Sequence, residues 1–487
     1  MIKNGAEIVR LQISSLKITL PMWLYMLSTY TLGTTGISYF AGTMGDQYLA
    51  GVNLGMSLNL NTMTGFMIGF TSLFDVYGPQ LCGRNQQGEL GRLMVKILIL
   101  GYAAYLMIIP VYVGLIFSIR LFPTEDDTGE DLKIRKIAEK FMAMYGAVGI
   151  LDYTIEVFLK FFANVRAMPQ VYLIPIVQSL VQILLCNLFV CQMHLSSVGI
   201  ILGTVLSRVL VIGLSVICMY HKRREWNLKH LITSEVFKKW GEMFGIGIAG
   251  GLNLVFGYIT CSVATYLSQI GGRIMIEVYS IAAKWEGISF SASVAFAYSS
   301  AIQVGNALGR KDIRGIRYSI CANLLNTVIE RIIYTVLIIE TRHWFVKIFT
   351  NDLIVIKSTA DSVYIFSLLI TLTSIQELLG RGYFIVLGRT RFVSTVVIMS
   401  SVLLGSLSMS VLIFTTQLGV YALFAGIILE KLVEIVVFVG AIIWMDLSKT
   451  VEQCADRVSR EIEQNSSQKV ASECDLLVES KHPTLHQ

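Results

Sequence analysis

Apolar runs of about 20 residues recur along this chain as far as Met445, separated by short polar stretches. Each is long enough to cross a hydrocarbon core of ~30 Å as a helix. The pattern predicts twelve spans, near residues 14–40, 50–77, 93–118, 138–163, 171–191, 197–220, 241–269, 274–302, 316–340, 355–386, 392–415 and 419–445. Leu20-Pro21-Met22-Trp23 lies in a run too long for a signal-peptide core, with no small-residue cleavage site after it. From Asp446 the apolar pattern stops. The tail is rich in Glu, Ser, Gln and Lys and reads as disordered. The fold class is an all-α polytopic membrane protein.

Composition agrees: of 487 residues, 54% are hydrophobic and 15% charged, where a soluble domain has about 25% charged. Charge also gives an orientation, because short cytosolic loops collect Lys and Arg. The even-numbered loops carry Arg84 and Arg92, Arg166, Lys222-Arg223-Arg224, then Arg310, Lys311, Arg314 and Arg317, then Arg389 and Arg391. The first, fifth and eleventh loops carry neither Lys nor Arg, the third has basic residues but also Glu125-Asp126-Asp127 and Glu130-Asp131, and the ninth, with Arg342 and Lys347, fits least well. Both termini are therefore expected in the cytosol, where the sequon Asn465-Ser466-Ser467 would stay unused. The eight cysteines follow no metal spacing and read as buried, reduced thiols.

The chain also repeats itself. Phe40-Ala41-Gly42-Thr43-Met44-Gly45 is echoed by Tyr266-Leu267-Ser268-Gln269-Ile270-Gly271. Gln80-Leu81-Cys82-Gly83-Arg84 is echoed, at the same offset of 226, by Asn306-Ala307-Leu308-Gly309-Arg310. Val165-Arg166 and Gly388-Arg389 continue the echo at an offset of 223. The division is then residues 1–13 as a cytosolic N-terminus, 14–220 as one lobe, 221–240 as a cytosolic inter-lobe loop, 241–445 as the second lobe and 446–487 as the tail. Six spans per lobe is an even number. The two lobes thus enter the membrane the same way up, as a parallel pseudo-twofold repeat.

Val304-Gly305-Asn306-Ala307-Leu308-Gly309 resembles the V-G-N-A-L-G signature of the multidrug and toxic compound extrusion (MATE) transporters. Other landmarks agree in order. Phe40–Gly45 resembles the family's F-x-G-x-L-G, and Asp75, Gln80 and Gly83 match the spacing of its D-x4-Q-x2-G stretch. Met168-Pro169-Gln170, Gln192-Met193-His194-Leu195 with Gly199, and Gln417-Leu418-Gly419-Val420 resemble further turns. The signature positions Asp75, Gln80, Gly83, Gly305, Asn306 and Gly309 are read as structural, with Gly closing a tight turn and Arg anchoring the cytosolic face. The resemblance covers roughly residues 15–445. It implies two six-helix lobes in a V around a central cavity. It also implies alternating access, with export of small organic, often cationic, xenobiotic solutes against inward H⁺ or Na⁺. No cofactor beyond the coupling ion, no metal and no nucleic acid is expected. The working unit is read as a monomer in the lipid bilayer of the plasma membrane or a vacuole-like endomembrane.

Cation-coupled export needs a carboxylate inside the membrane, where burial disfavours its charged form. The family keeps glutamates in the seventh, eighth and tenth spans. Here those positions fall on Gly257 or Tyr258 and Ser262 or Val263, on Lys284, and on Ser374. Two nearby acids are candidates to replace them: Glu377, three residues after Ser374, and Glu286, two after Lys284 and so pointing away from it. The bland alternatives are a Glu377–Arg381 pair and a structural contact for Glu286. Lys284 would change the charge of the cavity toward anionic or neutral solutes. Asp152 and Glu156 share a face of the fourth span, where a Glu156–Lys160 pair is the structural reading. Glu330-Arg331, and Glu430 and Glu434 with Lys431, are expected to pair within the membrane, though Glu430 could reach the cavity. The glycines Gly245, Gly247, Gly250, Gly251 and Gly257 of the seventh span suit close helix contact, and Pro21 and Pro175 are candidate kinks.

Enzyme motifs are missing: there is no G-x4-G-K-[ST] for ATP and no H-E-x-x-H. The leading reading is a secondary active exporter of the MATE type. The alternatives are a flippase for lipid-linked head groups, which shares the fold superfamily, and a transport-deficient relative.

Overall fold

In the computed structural model, residues 2–119, 130–226, 228, 240–347, 350, 352–454 and 456 are described. Glu125-Asp126-Asp127, the sequon at Asn465 and most of the inter-lobe loop lie outside them. Among the described residues the helices join end to end into twelve rods, one per expected span. The first runs from Ile2–Met26 through π-helical Leu27–Gly33 into Thr34–Gly42, and the second from Asp46–Asn59 to Ser72–Gly83. The third is Leu90–Ser118. The fourth joins Glu130–Tyr145 to Val148–Asn164, with a 46° bend between its two pieces. The bend falls at Gly146, not at a proline. The fifth and sixth are Met168–Gln192 and Ser196–His221.

The second set comprises Trp240–Ile270, Arg273–Gly309, Ile313–Lys347, Leu353–Ile385, Thr390–Thr415 and Val420–Trp444. Spans one to six form the N-lobe and seven to twelve the C-lobe. Seven of the rods are long and apolar enough to cross a membrane by that measure alone, eight counting the bent fourth. The first, second, eighth and twelfth are not among them. The eighth carries Ser289, Ser291, Ser293, Ser299 and Ser300, and the twelfth carries Glu430, Lys431 and Glu434, all buried against neighbouring helices. Polar groups satisfied inside the bundle lower hydropathy without forbidding a span.

The repeat is written in the backbone. The second and eighth spans end with a left-handed residue, Asn85 (φ 61°) and Lys311 (φ 57°), again 226 apart. The fourth and tenth end with Arg166 (φ 59°) and Gly388 (φ 72°). All four ends close with a backbone bond from the next amide to a carbonyl five residues back. These are Gln86 to Leu81, Asp312 to Ala307, Ala167 to Phe162 and Arg389 to Phe384, at 2.8–3.0 Å. That is the Schellman pattern of helix termination.

The reading of Gly83 and Gly309 as turn glycines is corrected here. Both are helical. Each is glycine because the other lobe's backbone lies against it: a Cβ on Gly83 would sit 2.2 Å from the Asn306 carbonyl oxygen, and one on Gly309 2.2 Å from that of Gln80. Gly305 faces Pro79 in the same way, and Gln80 Nε2 donates to the Val386 carbonyl at 3.0 Å. Further along the seam Gly69 and Gly250 oppose each other's carbonyls. The echoed motifs are therefore the two halves of one lobe-to-lobe seam.

At this end, which carries the chain's start and the Arg-bearing loops, a single apolar core joins the lobes. It includes Phe70, Phe74, Phe158, Val304, Leu308 and Phe384. Toward the other end the core divides. Ile37, Phe40, Phe141 and Val190 cluster in the N-lobe, and Leu267, Val278, Trp285 and Phe424 in the C-lobe. Hydrogen bonds between lobes follow the same gradient, from Gln303–Leu11 and Ser15–Ser299 through Trp23–Ser291 to Asn61–Ser262. The lobes thus make a V whose closed end is the end of the termini.

Two boundaries differ from expectation. The first helix begins at Ile2 rather than near residue 14, because its first turns lie against the ninth span: Asn326 Nδ2 donates to the Gln12 carbonyl at 3.2 Å. The start of the tail, expected to be disordered, is helical over residues 447–454. Leu447, Val451 and Cys454 recur at helical spacing and are buried, and Cys454 Sγ donates to the Leu387 carbonyl at 3.1 Å. Asp446 caps this helix by accepting from the Ser448 amide at 3.0 Å.

Candidate functional site

Three buried or half-buried acids of the N-lobe, Asp75, Asp152 and Glu156, are engaged. Asp152 on the fourth span pairs with Arg208 on the sixth at 2.5 Å, and Arg208 also donates to Gln182 Oε1 and the Thr204 carbonyl. Asp75 pairs with Lys160 at 2.7 Å, and Lys160 donates as well to the Thr71 carbonyl at 3.2 Å. The expected Glu156–Lys160 pair is therefore corrected. Lys160 turns to another span, because Asp75 offers a buried carboxylate next to a helix carbonyl that the same ammonium reaches. Glu156 instead accepts a hydrogen bond at 3.0 Å from Tyr298 of the eighth span, in the other lobe.

In the C-lobe a cavity of about 230 Å³ lies among the seventh, eighth, tenth, eleventh and twelfth spans. Glu286, Glu377 and Glu430 reach it from three different helices, with Lys431 beside them. Glu377 is held by Arg381 at 3.3 Å, as the bland alternative had it, and still lines the cavity. Lys431 pairs with Glu430 at 2.7 Å and lies 3.5 Å from Glu434. Ser401 donates to Glu430 and Ser400 to Glu434, so the cluster on the twelfth span is satisfied except at one oxygen. That oxygen, Glu430 Oε2, is buried without a hydrogen-bond partner. So are Asn253 Oδ1 and Thr260 Oγ1, on the same cavity wall. Among the described residues, Glu286 is the carboxylate on that wall with neither an ion pair nor a hydrogen bond. Three acceptor oxygens and a free carboxylate converging on one small space suit a cation or a proton donor, since an unsatisfied buried acceptor is costly.

Lys284 does not line this cavity. It is exposed, and it stands seven residues before Ser291, whose hydroxyl accepts from Trp23 of the first span at 3.1 Å. Seven residues are two helical turns, so Lys284 lies on the N-lobe-facing stripe of the eighth span, outward of the seam. Glu286, two residues on, points away from it, as the spacing predicted.

The chain has relatives of known kind. The MatE family model matches residues 21–188. Multidrug and toxin extrusion protein 1 of Homo sapiens is 23% identical over 442 residues, 89% of this chain and 75% of that protein. Protein DETOXIFICATION 33 of Arabidopsis thaliana is 23% identical over 439 residues, 89% of this chain and 88% of that protein. The crystal structure of the eukaryotic MATE transporter AtDTX14 superposes with a TM-score of 0.83 at 17% identity, covering 93% of this chain and 99% of that one. This chain is similar to the MATE transporters along nearly its whole length.

The likeness to that structure gives the fold, an all-helical bundle of two six-helix lobes. The positions where the resemblance led one to expect glutamates are now explained locally. Ser374 shares a 2.7 Å hydrogen bond with Ser293, joining the tenth span to the eighth. Ser262 accepts from Asn61 at 2.5 Å across the lobes, and Val263 packs into the C-lobe's apolar core. Gly257 and Tyr258 line the cavity. Ordinary hydrogen bonds and packing replace the acids there, and the charge moves to Glu286, Glu377 and Glu430 around the same space. Glu330 and Arg331 do pair, with Arg331 also bonded to Ser289.

The sequence pointed to these acids and to the pairs Glu377–Arg381, Glu330–Arg331 and Glu430–Lys431, but missed the partners that lie on other helices, Arg208 and Tyr298. Arg208 is the one Lys or Arg inside an otherwise uncharged sixth span, which was a usable signal. Tyr298 gave none, since a tyrosine among apolar residues is ordinary. Three glycines of the seventh span serve close contact, since Gly247 abuts Phe70, Gly250 the Gly69 carbonyl and Gly251 Phe66, whereas Gly257 has open space beside it.

Proposed function

We propose that this chain is a MATE-type secondary active exporter of small organic solutes, working as a monomer by alternating access in exchange for H⁺ or Na⁺. The observation that carries the reading is the C-lobe cavity, where Glu286 stands unpaired beside the unpartnered oxygens of Asn253, Thr260 and Glu430. A site of that make binds a small cation or a proton and releases it when the cavity changes exposure. The Arg-bearing loops support a cytosolic position for the closed end of the V, and on that reading the state is open outward, as the exporting step at the plasma membrane or a vacuole-like membrane requires. The names of its relatives, multidrug and toxin extrusion protein and DETOXIFICATION protein, suit the same solute class.

The test is transport by purified protein in proteoliposomes, with a fluorescent organic cation and an imposed H⁺ or Na⁺ gradient. One of the gradients is expected to accelerate uptake, and Glu286→Gln to lose that acceleration by roughly tenfold, about 1.4 kcal/mol. Uptake indifferent to both gradients, or driven equally well in the variant, removes Glu286 from the coupling role.

A further inference from the structure

The acids of the cavity and the seam between the lobes are not separate features. Glu377, on the cavity wall, holds Arg381 at 3.3 Å. Arg381 Nη1 lies 3.4 Å from Tyr298 Oη and donates to it. The same hydroxyl donates to Glu156 of the N-lobe at 3.0 Å. Beside Glu156, the Lys160 ammonium sits 4.8 Å from the centre of the Tyr298 ring and pairs with Asp75. A continuous polar chain therefore runs from the C-lobe cavity through one arginine and one tyrosine to the N-lobe's acids. It crosses between the lobes at the end where they are joined. Tyr298 and Glu156 are both buried, so neither can exchange its partner for water while the seam is closed.

The geometry points to Arg381 and Tyr298 as the relay by which the charge on the C-lobe cavity sets the contact between the lobes. Arg381 stands between two carboxylates. It pairs with Glu377 directly and reaches Glu156 only through the tyrosine. While Glu377 is charged, the guanidinium is held on the cavity side. When a proton or a bound cation neutralises Glu377, the guanidinium keeps its hydrogen bond to Tyr298, with Glu156 behind it and Asp75 and Tyr258 also nearby, and the pull toward the N-lobe acids strengthens the bridge. Cavity loading thus favours the state closed at the end of the termini, and unloading loosens it. Breaking the bridge exposes Glu156 to water as the lobes part, which removes the cost of leaving a buried acceptor bare. This relay rests on the proposed role of the cavity as the cation site, and it assigns Tyr298 and Arg381 as positioning residues that touch no solute.

Hydrogen–deuterium exchange of the purified full chain in lipid nanodiscs tests it without any solute or gradient. The readout is the exchange of peptides covering residues 78–84 and 303–310, the two sides of the seam. Tyr298→Phe keeps the ring between Lys160 and Arg381 but removes the bridging oxygen. It is expected to raise exchange there roughly tenfold or more, the share of a hydrogen bond to a charged acceptor. Glu377→Gln mimics the loaded cavity and is expected to lower exchange at the same peptides. In the double variant the protective effect of Glu377→Gln should vanish, because the link that carries it is gone. Arg381→Gln cuts the relay from the other side and should abolish the effect of Glu377→Gln in the same way, which covers the case of a poorly folding Tyr298→Phe. Unchanged exchange in Tyr298→Phe, or a Glu377→Gln effect that survives in either double variant, overturns the relay. Because no transport is measured, that outcome leaves the exporter reading standing. Conversely, an intact relay in a protein that moves no solute would refute the exporter reading alone.

Discussion

The two lobes share a topology, a set of helix caps and a seam, yet of the membrane acids described above only one in the C-lobe is left without a partner. In the N-lobe, Asp152 and Asp75 are in buried ion pairs with Arg208 and Lys160, and Glu156 is bonded to Tyr298. In the C-lobe, Glu430 and Glu434 share one lysine, and Glu286 faces a cavity with no partner. Two copies of one scaffold have thus been given different jobs. The backbone features that repeat at an offset of 226 are those that hold the lobes together. The charges do not repeat, and on the proposed function they set which lobe would take up and release an ion. A carboxylate already paired with an arginine gains little from a cation, whereas an unpaired one gains a great deal.

The sharpest way to break this contrast is to unpair the N-lobe. Arg208→Met leaves Asp152 in the membrane without its base and should cost about 3–5 kcal/mol, as removal of one partner from a buried pair generally does. The fall would be seen in the thermal unfolding midpoint of the detergent-purified protein. Asp152→Leu added to Arg208→Met should recover most of the loss, since replacing both partners removes the stranded charge. Glu286→Gln, in contrast, should leave the midpoint nearly unchanged, because no ion pair is broken. If Arg208→Met were as stable as the native chain, the N-lobe pair would be no more structural than Glu286, and the contrast between lobes would collapse.

A smaller effect tests the shared seam. A Cβ on Gly309 would meet the Gln80 carbonyl oxygen at 2.2 Å, and backbone cannot move aside as a flexible side chain can. Gly309→Ala should therefore cost about 1–3 kcal/mol, as overpacking does, and Gly83→Ala should match it if the seam is symmetric. Gly440 is the control: nothing lies within 4 Å of its added Cβ. There Gly→Ala should be neutral or stabilising by up to about 1 kcal/mol through helix propensity. A loss at Gly309 with none at Gly83, measured by the same thermal midpoint, would show that the lobes do not share the load equally.

How much of this the sequence disclosed follows from the range of the forces involved. The spans were legible because burial in a bilayer demands about 20 apolar residues in a row, a local property. The repeat was legible because both seam glycines sit in short, recognisable motifs. Their reason was not, since a helical glycine pressed on a neighbour's carbonyl looks the same in sequence as a turn glycine. Ion pairs were the weakest part. Lys160 has Glu156 four residues away on its own helix and Asp75 on another, and only the fold shows that Asp75 wins. Spacing did establish that Lys284 and Glu286 point apart. It could not say that one meets a cavity and the other a cleft. The docked start of the tail was readable in Leu447, Val451 and Cys454, whose spacing marks one face of a helix.

The smallest stability change, and the finest test of the contrast, belongs to Lys284. It is exposed and makes no hydrogen bond or ion pair among the described residues, so Lys284→Gln should alter stability by less than about 0.5 kcal/mol. Its effect should fall on solute charge instead. Lys284 stands in the cleft between the lobes while Glu286, two residues on, lines the cavity behind the same helix. On the proposed function, one helix would present a cation to the solute and an anion to the coupling ion. One unit charge near a solute in a wet cleft is worth about 1 kcal/mol at 4 Å. Lys284→Gln should then shift the ratio of anionic to cationic solute uptake by roughly fivefold toward cations, with the dependence on the driving gradient unchanged. A variant that loses gradient dependence while keeping its solute preference would reverse the two roles. Lys284 would then belong to the coupling machinery, and the division of labour would not follow the two faces of the eighth span.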